Sequence, residues 1–285
     1  MMHNSDELRK FIANAFLEDV GDGDHSSLAC IPSSQQGKAR LLIKQEGILS
    51  GMEIACEVFY FLDPGFKIEI FKADGDKIFP GDIAFIVEGK ELNILKAERL
   101  ILNIMQRMSG IATQTARYTA ELRGLKTKIL DTRKTTPGMR FLEKLAVKHG
   151  GGENHRMGLY DMILLKDNHI DYAGGLEKAI IKTKQYLHDN NKDLKIEVEA
   201  RSLEDVQKIL ELGGVHRIML DNFDLENTRK AVTLINNKTE TESSGGITLK
   251  NLRDYAECGV DYISVGALTH QLFSLDMSLK AMKNS

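Results

Sequence analysis

The chain has 285 residues, of which 42% are apolar and 28% charged, with a formal net charge of −3. That length allows one large domain or two smaller ones with a sizeable core, and the balanced charge argues against a general nucleic-acid binder. Cys30, Cys56 and Cys258 lie far apart with no CxxC spacing, and neither a signal-peptide core nor a membrane-length apolar run occurs, so a reduced, cytoplasmic protein with no membrane partner is expected.

The chain opens on a helical pattern over 5–19, SDELRKFIANAFLED. From about 37 to 90, apolar and polar residues alternate in GKARLLIKQEGIL, GFKIEIFKADGDKIF and GDIAFIVEGK. Glycine turns punctuate these runs, which predicts an antiparallel sheet with one wet face. Residues 91–123 read as helix, interrupted at Ser109–Gly110. From Lys126 the rhythm changes. The short β-rich runs KTKILDTR, YDMILLKDN, LKIEVEA, HRIMLDN, KTETESSGG and VDYISVGAL alternate with amphipathic, helix-length segments. Ser202, Asp224 and Thr248 are helix-start signals, and Gly150, Gly213 and Gly259 close helices. Six β-α repeats predict a parallel sheet, open or closed, in an α/β fold. KTETESSGG is the weakest run, supported by its alternation and not by hydrophobicity.

Each β-run ends in residues suited to chemistry. These are Thr132-Arg133-Lys134, Lys166-Asp167-Asn168, Glu199, Asp221-Asn222, Ser244-Gly245-Gly246 and Gly266. In a β/α barrel the carboxyl ends of all strands converge on one face, so residues scattered along the sequence meet in one pocket. Arg133 and Lys134 precede TTPG, expected to open a helix at Pro137 whose positive end would add to the cationic pair. His155 and Arg156 sit in a glycine-rich loop just before a strand. Glu199 and Asp221, at successive strand ends, either neutralise the cations or hold magnesium together with substrate phosphate. Glu197 shares a side of its strand with Glu199, and the one nearer the strand end is favoured. Ser244-Gly245-Gly246 and Gly266 suit a phosphate cradle.

Other motifs fail. There is no GxxxxGK[ST] loop and no GxGxxG after a strand. VGDGDH over 20–25 lacks the rest of a calcium loop, and His149, His155 and His169 have no zinc spacing with a third ligand. What remains is a phosphate cradle, a divalent-metal pair and surplus cations. Arginine suits planar carboxylates and lysine suits phosphates. The inventory describes a site for a phosphorylated sugar and a second, carboxylate-bearing substrate.

The blocks AERLILNIMQRMSGIAT, DTRKTTPGMRFLEKLAVKHGGGENHRMGLYDMILLKDNHI, IEVEA, IMLDNF, ESSGGI and GVDYISVGALTH cover nearly everything from Glu98 to His270. In that order they resemble the quinolinate phosphoribosyltransferases, type II phosphoribosyltransferases. The resemblance implies an N-terminal α/β sandwich domain, 1–112, and an open (incomplete) α/β barrel, 113–270, with a C-terminal helix over 271–285 packing back on the first domain. It implies a seven-stranded barrel, one strand more than the six β-runs. The implied activity joins quinolinate to phosphoribosyl pyrophosphate, with Mg2+, to give nicotinate mononucleotide, pyrophosphate and carbon dioxide. Quinolinate would lie near Arg133, His155 and Arg156, with Lys134 and Lys166 facing the phosphorylated substrate. Glu199 and Asp221 would contact ribose hydroxyls and the metal, while Ser244, Gly245, Gly246 and Gly266 would surround the 5-phosphate. Lys134, Lys166, Glu199 and Asp221 are thus the implied catalytic residues. Arg99 would be lent across a homodimer, or within a higher oligomer. The interval from Glu199 to Asp221 is slightly longer than the family pattern, which places an insertion in the LELGGVH loop.

Two alternatives stand beside this. One is a related phosphoribosyltransferase, or a molybdenum-transport-associated relative, with a different acceptor. The other is a barrel aldolase with a Schiff base on Lys166, which requires an apolar pocket around that amine.

Overall fold

A computed structural model describes residues 5–282. The described residues form two compact units, one of residues 5–116, 136–151 and 271–282, the other of residues 117–135 and 152–270. The segment 136–151 therefore packs in the first unit, although the sequence pattern places it inside the barrel.

In chain order the first unit contains α1 (Ser5–Val20), α2 (His25–Cys30), β1 (Gln36–Ile43), β2 (Gly47–Ile48), α3 (Met52–Leu62), β3 (Lys67–Ile70), β4 (Lys77–Ile78) and β5 (Ile83–Lys90). Then come α4 (Glu91–Glu121, its end counted with the second unit), α5 (Arg140–His149) and, at the far end of the chain, β12 (Met277–Met282). The alternation in β1 works as expected. Ala39, Leu41 and Ile43 are buried, and Lys38 and Arg40 are exposed. An antiparallel sheet forms in the order β12-β1-β5-β3. The helix expected over 271–285 is replaced by the strand β12, which pairs with β1 from Ile43↔Met277 to Lys38↔Met282. Met277 and Leu279 are buried at period two, which suits a strand with one covered face. Residues 283–285 lie outside the described residues.

Helix α4 is not interrupted at Ser109–Gly110. Ser109 is buried, where its Oγ accepts from the Ser50 amide at 2.9 Å and donates to the Ser50 carbonyl at 3.1 Å. A Cβ on Gly110 would stand 2.3 Å from the Phe273 carbonyl oxygen. The pair that reads as a helix breaker is a place where another backbone comes close. Helix α5 starts at Arg140, with Met139 as its N-cap residue, so Pro137 lies in the preceding turn and not at the helix start.

The second unit contains β6 (Lys128–Leu130), β7 (Ile163–Leu165), α6 (Asp167–Ala173), α7 (Leu176–Asp189), β8 (Ile196–Ala200), α8 (Leu203–Leu212), β9 (Arg217–Asp221), α9 (Leu225–Ile235), β10 (Glu240–Ser244), α10 (Leu252–Ala256), β11 (Tyr262–Ser264) and α11 (Ala267–His270). Ser202 and Asp224 cap α8 and α9 by accepting from Asp205 and Asn227 amides. Thr248 does not start α10, whose N-cap is Asn251, because 248–251 first forms a turn closed on the Asn251 side chain. All strand pairs are parallel, in the order β6-β11-β10-β9-β8-β7. The strand missing from a count of seven is reduced to a single parallel bridge, Leu130↔Glu153, on the free edge of β6.

The two sides of this sheet differ in chemistry. Ile129, Ile196, Val198, Ala200, Ile218, Leu220 and Ile263 share one side and are buried. In-register neighbours on the other side are Glu197, Glu199, Arg217, Met219, Asp221, Glu240, Glu242, Ser244 and Tyr262. Glu197 on β8 and Glu242 on β10, separated by β9, both reach His155. Side chains two strands apart converge only on the concave side, so over β8–β10 the barrel is lined mainly by polar side chains, with Leu164 and Leu130 inward on the flanking strands, while the outer side is apolar except for Thr241 and Ser243 of β10. A parallel sheet usually reads as continuous hydrophobic runs. The polar lining explains why KTETESSGG looks so poor a strand.

Candidate functional site

The strand ends lie along an arc that follows the sheet order. At the β7–β8 end, the exposed Lys166 holds its Nζ 3.5 Å from Glu199 Oε1. The Asp167 amide donates to Glu199 Oε2 at 3.0 Å. Glu199 is thus a buried carboxylate that faces a cation and an N–H group. At the β9–β10 end, Asp221 Oδ2 accepts from Asn222 Nδ2 at 2.7 Å. Asn222 has a left-handed backbone, φ 56°, and its amide donates to the Ser244 carbonyl at 2.8 Å. Gly245, at φ 93°, packs so closely that a Cβ would stand 2.2 Å from Asn222 Oδ1 and 3.0 Å from the Asn222 amide nitrogen. Only glycine permits that approach.

At the β6–β11 end, the Thr269 hydroxyl donates to the Lys134 carbonyl at 2.7 Å, and the Lys134 amide donates to Thr132 Oγ1 at 3.1 Å. A Cβ on Gly266 would lie 3.1 Å from Lys134 Cδ. Lys134 and Gly266 are neighbours across the two strand ends. The segment bridged to β6 brings Arg156 near Arg133. Burial lowers the pKa of Arg156 first, and the positive charge of Arg133 lowers it further. Arg156 donates to the Met162 carbonyl at 3.1 Å, and Arg133 Nε is buried with no hydrogen-bond partner. Among the described residues neither guanidinium has a carboxylate within ion-pair distance.

Below this rim lies a buried layer of which the sequence pointed only to His155 and Glu197, and not to Glu242 or Arg217. His155 Nε2 stands 3.0 Å from Glu197 Oε2 and 3.5 Å from Glu242 Oε2. Arg217 donates to Glu242 Oε2 at 3.0 Å and to Glu240 Oε2 at 3.0 and 3.1 Å, with the Tyr262 ring 4.0 Å from the guanidinium carbon. Burial pushes the Glu197 and Glu242 carboxyls up to about 7 each. Two acids closed in with little water cannot both ionise without cost. The signal that finds this layer is the alternation Glu197/Glu199 and Glu240/Glu242/Ser244, in which the lower residue of each strand shares the inner side.

Arg133, Lys134, His155, Arg156, Lys166, Glu199, Asp221, Ser244, Gly245, Gly246 and Gly266 all lie in the barrel unit, where Lys166 meets Glu199, Asp221 meets the Gly245 loop through Asn222, and Lys134 meets Gly266. Arg99 is exposed on α4 in the first unit and is not among them. His155 differs from the expectation of a rim residue. It is 8% exposed, and its ring turns toward the acidic floor. Lys166 is not in the apolar pocket an aldolase requires, with the Glu199 carboxylate beside it.

Comparison with known proteins gives the family. The family model for the quinolinate phosphoribosyl transferase N-terminal domain matches residues 24–109, and that for the C-terminal domain matches residues 111–280. The mitochondrial quinolinate phosphoribosyltransferase [decarboxylating] 2 of Nicotiana glauca is 43% identical over 293 residues, covering 98% of this chain and 83% of its own. A probable nicotinate-nucleotide pyrophosphorylase [carboxylating] of Bacillus subtilis is 42% identical over 274 residues, covering 96% and 93%. The crystal structure of NadC from Streptococcus pyogenes superposes with a TM-score of 0.93 at 36% identity over 100% of both chains. With both domain models matched in order over nearly its whole length, the chain belongs to the quinolinate phosphoribosyltransferase family.

Proposed function

We propose that this chain is a decarboxylating quinolinate phosphoribosyltransferase of NAD biosynthesis. It joins the ring nitrogen of quinolinate to the anomeric carbon of phosphoribosyl pyrophosphate and yields nicotinate mononucleotide, pyrophosphate and carbon dioxide. The observation that carries the reading is the Arg133–Arg156 pair. Two guanidiniums stand near one another, burial and then the charge of Arg133 lowering the pKa of Arg156, with one buried Arg133 donor unspent and no carboxylate within ion-pair distance of either among the described residues. Such a pair suits a dianion with two carboxylates, whereas a monocarboxylate leaves one cation uncompensated.

Arg133 and Arg156 bind and orient the dicarboxylate so that its ring nitrogen faces the ribose. Lys134 and Lys166 face the phosphates and stabilise the charge that grows on the departing diphosphate. Glu199 and Asp221 support the ribose as it gains oxocarbenium character. The Ser244–Gly246 loop and Gly266 leave backbone room for the 5-phosphate. Once the ring nitrogen carries the ribose it is cationic and stabilises the electron pair left on the adjacent ring carbon when its carboxylate departs as carbon dioxide, and that carbon then takes a proton from water, so no dedicated base is needed.

Glu199 and Asp221, hard oxygen donors on adjacent strands, fit a magnesium ion completed by substrate phosphate oxygens. Asp221 is the better placed, because Glu199 already faces Lys166 and the Asp167 amide. The ion would supply further charge neutralisation of the pyrophosphate. Arg99 is assigned to the neighbouring subunit's site in a homodimer. Mixing Arg99→Ala with Arg133→Ala protein would then restore part of the activity each lacks alone, and no recovery would count against sharing.

The test is release of pyrophosphate and carbon dioxide from phosphoribosyl pyrophosphate with quinolinate and, separately, with nicotinate. Turnover with quinolinate alone is expected. Turnover with nicotinate alone would overturn the substrate.

A further inference from the structure

His155, Glu197 and Glu242 place a ring nitrogen and two carboxylate oxygens within 4.8 Å of one another, all buried. That geometry resembles a cation site, but the ring's other nitrogen decides against one. The Arg156 amide donates to His155 Nδ1 at 2.7 Å, so Nδ1 carries the lone pair and the proton of the neutral ring sits on Nε2. A protonated Nε2 cannot ligate a metal. The oxygens nearest to it are those of Glu197 and Glu242 at 3.0 and 3.5 Å, close enough for their charge to favour a proton there although no hydrogen bond to Nε2 is formed in this structure. Positive charge on the floor is already supplied by Arg217, held by Glu242, Glu240 and the Tyr262 ring.

The chain of contacts then runs upward from the floor. Arg217 fixes Glu242, and the two carboxyls face the imidazole N–H. The His155 amide donates to Asp131 Oδ1 at 2.9 Å, which ties its backbone to the end of β6. The Nδ1 lone pair receives the Arg156 amide, and Arg156 carries the guanidinium that stands beside Arg133. A ring with the opposite tautomer would set an N–H against that amide and push the Arg156 backbone away.

We propose that Glu197 and Glu242 are positioning residues for the carboxylate-binding wall: they hold His155 as the Nε2–H tautomer, and that tautomer sets the backbone, and so the guanidinium, of Arg156. The proposal rests on Arg156 binding a substrate carboxylate. It reaches further in making the buried acids, which do not touch substrate, determinants of dicarboxylate affinity.

Charge and position give opposite signs, so substitution separates them. At pH 8.5, above the raised range of both carboxyls, Glu242→Gln and Glu197→Gln keep an acceptor oxygen and lose the charge. Glu242→Met and Glu197→Met lose both at similar length. On the positioning account the Gln variants keep KM for quinolinate within about 3-fold, while the Met variants raise it ~10-fold or more and leave KM for phosphoribosyl pyrophosphate within about 3-fold. If the floor acted only as bulk negative charge beneath Arg156, the Gln variants would bind quinolinate more tightly than wild type, and the proposal would fail.

Ring-nitrogen NMR of 15N-labelled protein, with His155 assigned by its loss in His155→Gln, reads the tautomer directly and without substrate. Wild type and the Gln variants should show Nε2–H, and the Met variants Nδ1–H. Nδ1–H or an imidazolium in the wild-type protein at neutral pH would overturn the proposal even if no Met variant folds. A wild-type enzyme that uses nicotinate and not quinolinate would refute the substrate reading, and the ring-nitrogen spectrum would still decide this one.

Discussion

A single methyl group at Gly245 tests whether the β10 loop is the phosphate cradle. In Gly245→Ala the new Cβ would sit 2.2 Å from Asn222 Oδ1 and 3.0 Å from the Asn222 amide nitrogen. The side chain can rotate, but doing so breaks its 2.7 Å bond to Asp221. The amide cannot retreat freely, because it already donates to Ser244 at 2.8 Å. To this clash is added the φ of 93°, which alanine tolerates poorly. The left-handed backbone costs ~1–2 kcal/mol and overpacking ~1–3 kcal/mol, so a total of about 2–3 kcal/mol is reasonable once Asn222 yields, roughly 30- to 150-fold. Because the strain falls on the loop and on Asp221, kcat/KM for phosphoribosyl pyrophosphate should drop by about that factor, with KM for quinolinate moving less than ~3-fold. Steady-state kinetics with one substrate varied at saturating levels of the other reads both. Gly246→Ala is the control, since it has φ 63° but nothing within 4 Å of its Cβ, so only the backbone cost applies. Equal effects from the two variants, or an unchanged dependence on phosphoribosyl pyrophosphate in Gly245→Ala, would refute the reasoning.

Arg133→Ala removes a buried donor from the dicarboxylate wall, and kcat/KM for quinolinate should fall at least ~10-fold, the cost of one charge-assisted hydrogen bond; turnover like wild type at low quinolinate would sink the assignment. Gly110→Ala tests the backbone approach to Phe273. Helix propensity alone favours alanine by ~1 kcal/mol, yet the 2.3 Å contact should reverse the sign and lower the melting temperature with kinetics unchanged. For Glu242, the folded carboxyl keeps its proton up to about 7 against a usual 4.5. The folded state therefore binds more protons across that window, and its stability falls as pH rises from about 4.5 to 7, by at most ~1.4 kcal/mol per pH unit. Urea midpoints at pH 5 to 8 should decline more in wild type than in Glu242→Gln, and a parallel course in both would contradict it.

What the sequence made legible, and what it hid, follows from which face of an element carries the information. The rim residues were readable because the ends of parallel strands must share one edge, so Lys166, Glu199, Asp221 and Ser244 could be placed together without coordinates. Glu197 was also readable as sharing a side with Glu199, but periodicity gives a side and not a depth. Nothing in IEVEA says that one of these acids faces Lys166 while the other is sealed against His155. Ser109–Gly110 misled for a different reason. The dipeptide has two physical uses, to end a helix or to admit another backbone, and only the partner, Phe273, more than 160 residues away in the sequence, distinguishes them. The C-terminal strand was a matter of competing periods: Met277 and Leu279 alternate, but the run is too short to outweigh a helical reading until β1 offers a free edge.

The polar lining of the barrel has a functional logic of its own. A site that gathers Arg133, Lys134, Arg156 and Lys166 with only Glu199 and Asp221 at the rim would carry a surplus of positive charge in the empty protein. Filling the interior beneath with leucine and valine, as many barrels do, would leave that surplus over a medium of low polarity. Of the acids beneath the pocket, Glu197 is near enough to stabilise the charge of Arg156 and is buried too deep to occupy the substrate's place, while Glu242 and Glu240 hold Arg217 below it. The cost is a pair of buried acids whose protons are hard to lose. A variant with an apolar floor should therefore fold around a weaker, less ordered Arg156, and its quinolinate affinity should suffer even though no rim residue has changed.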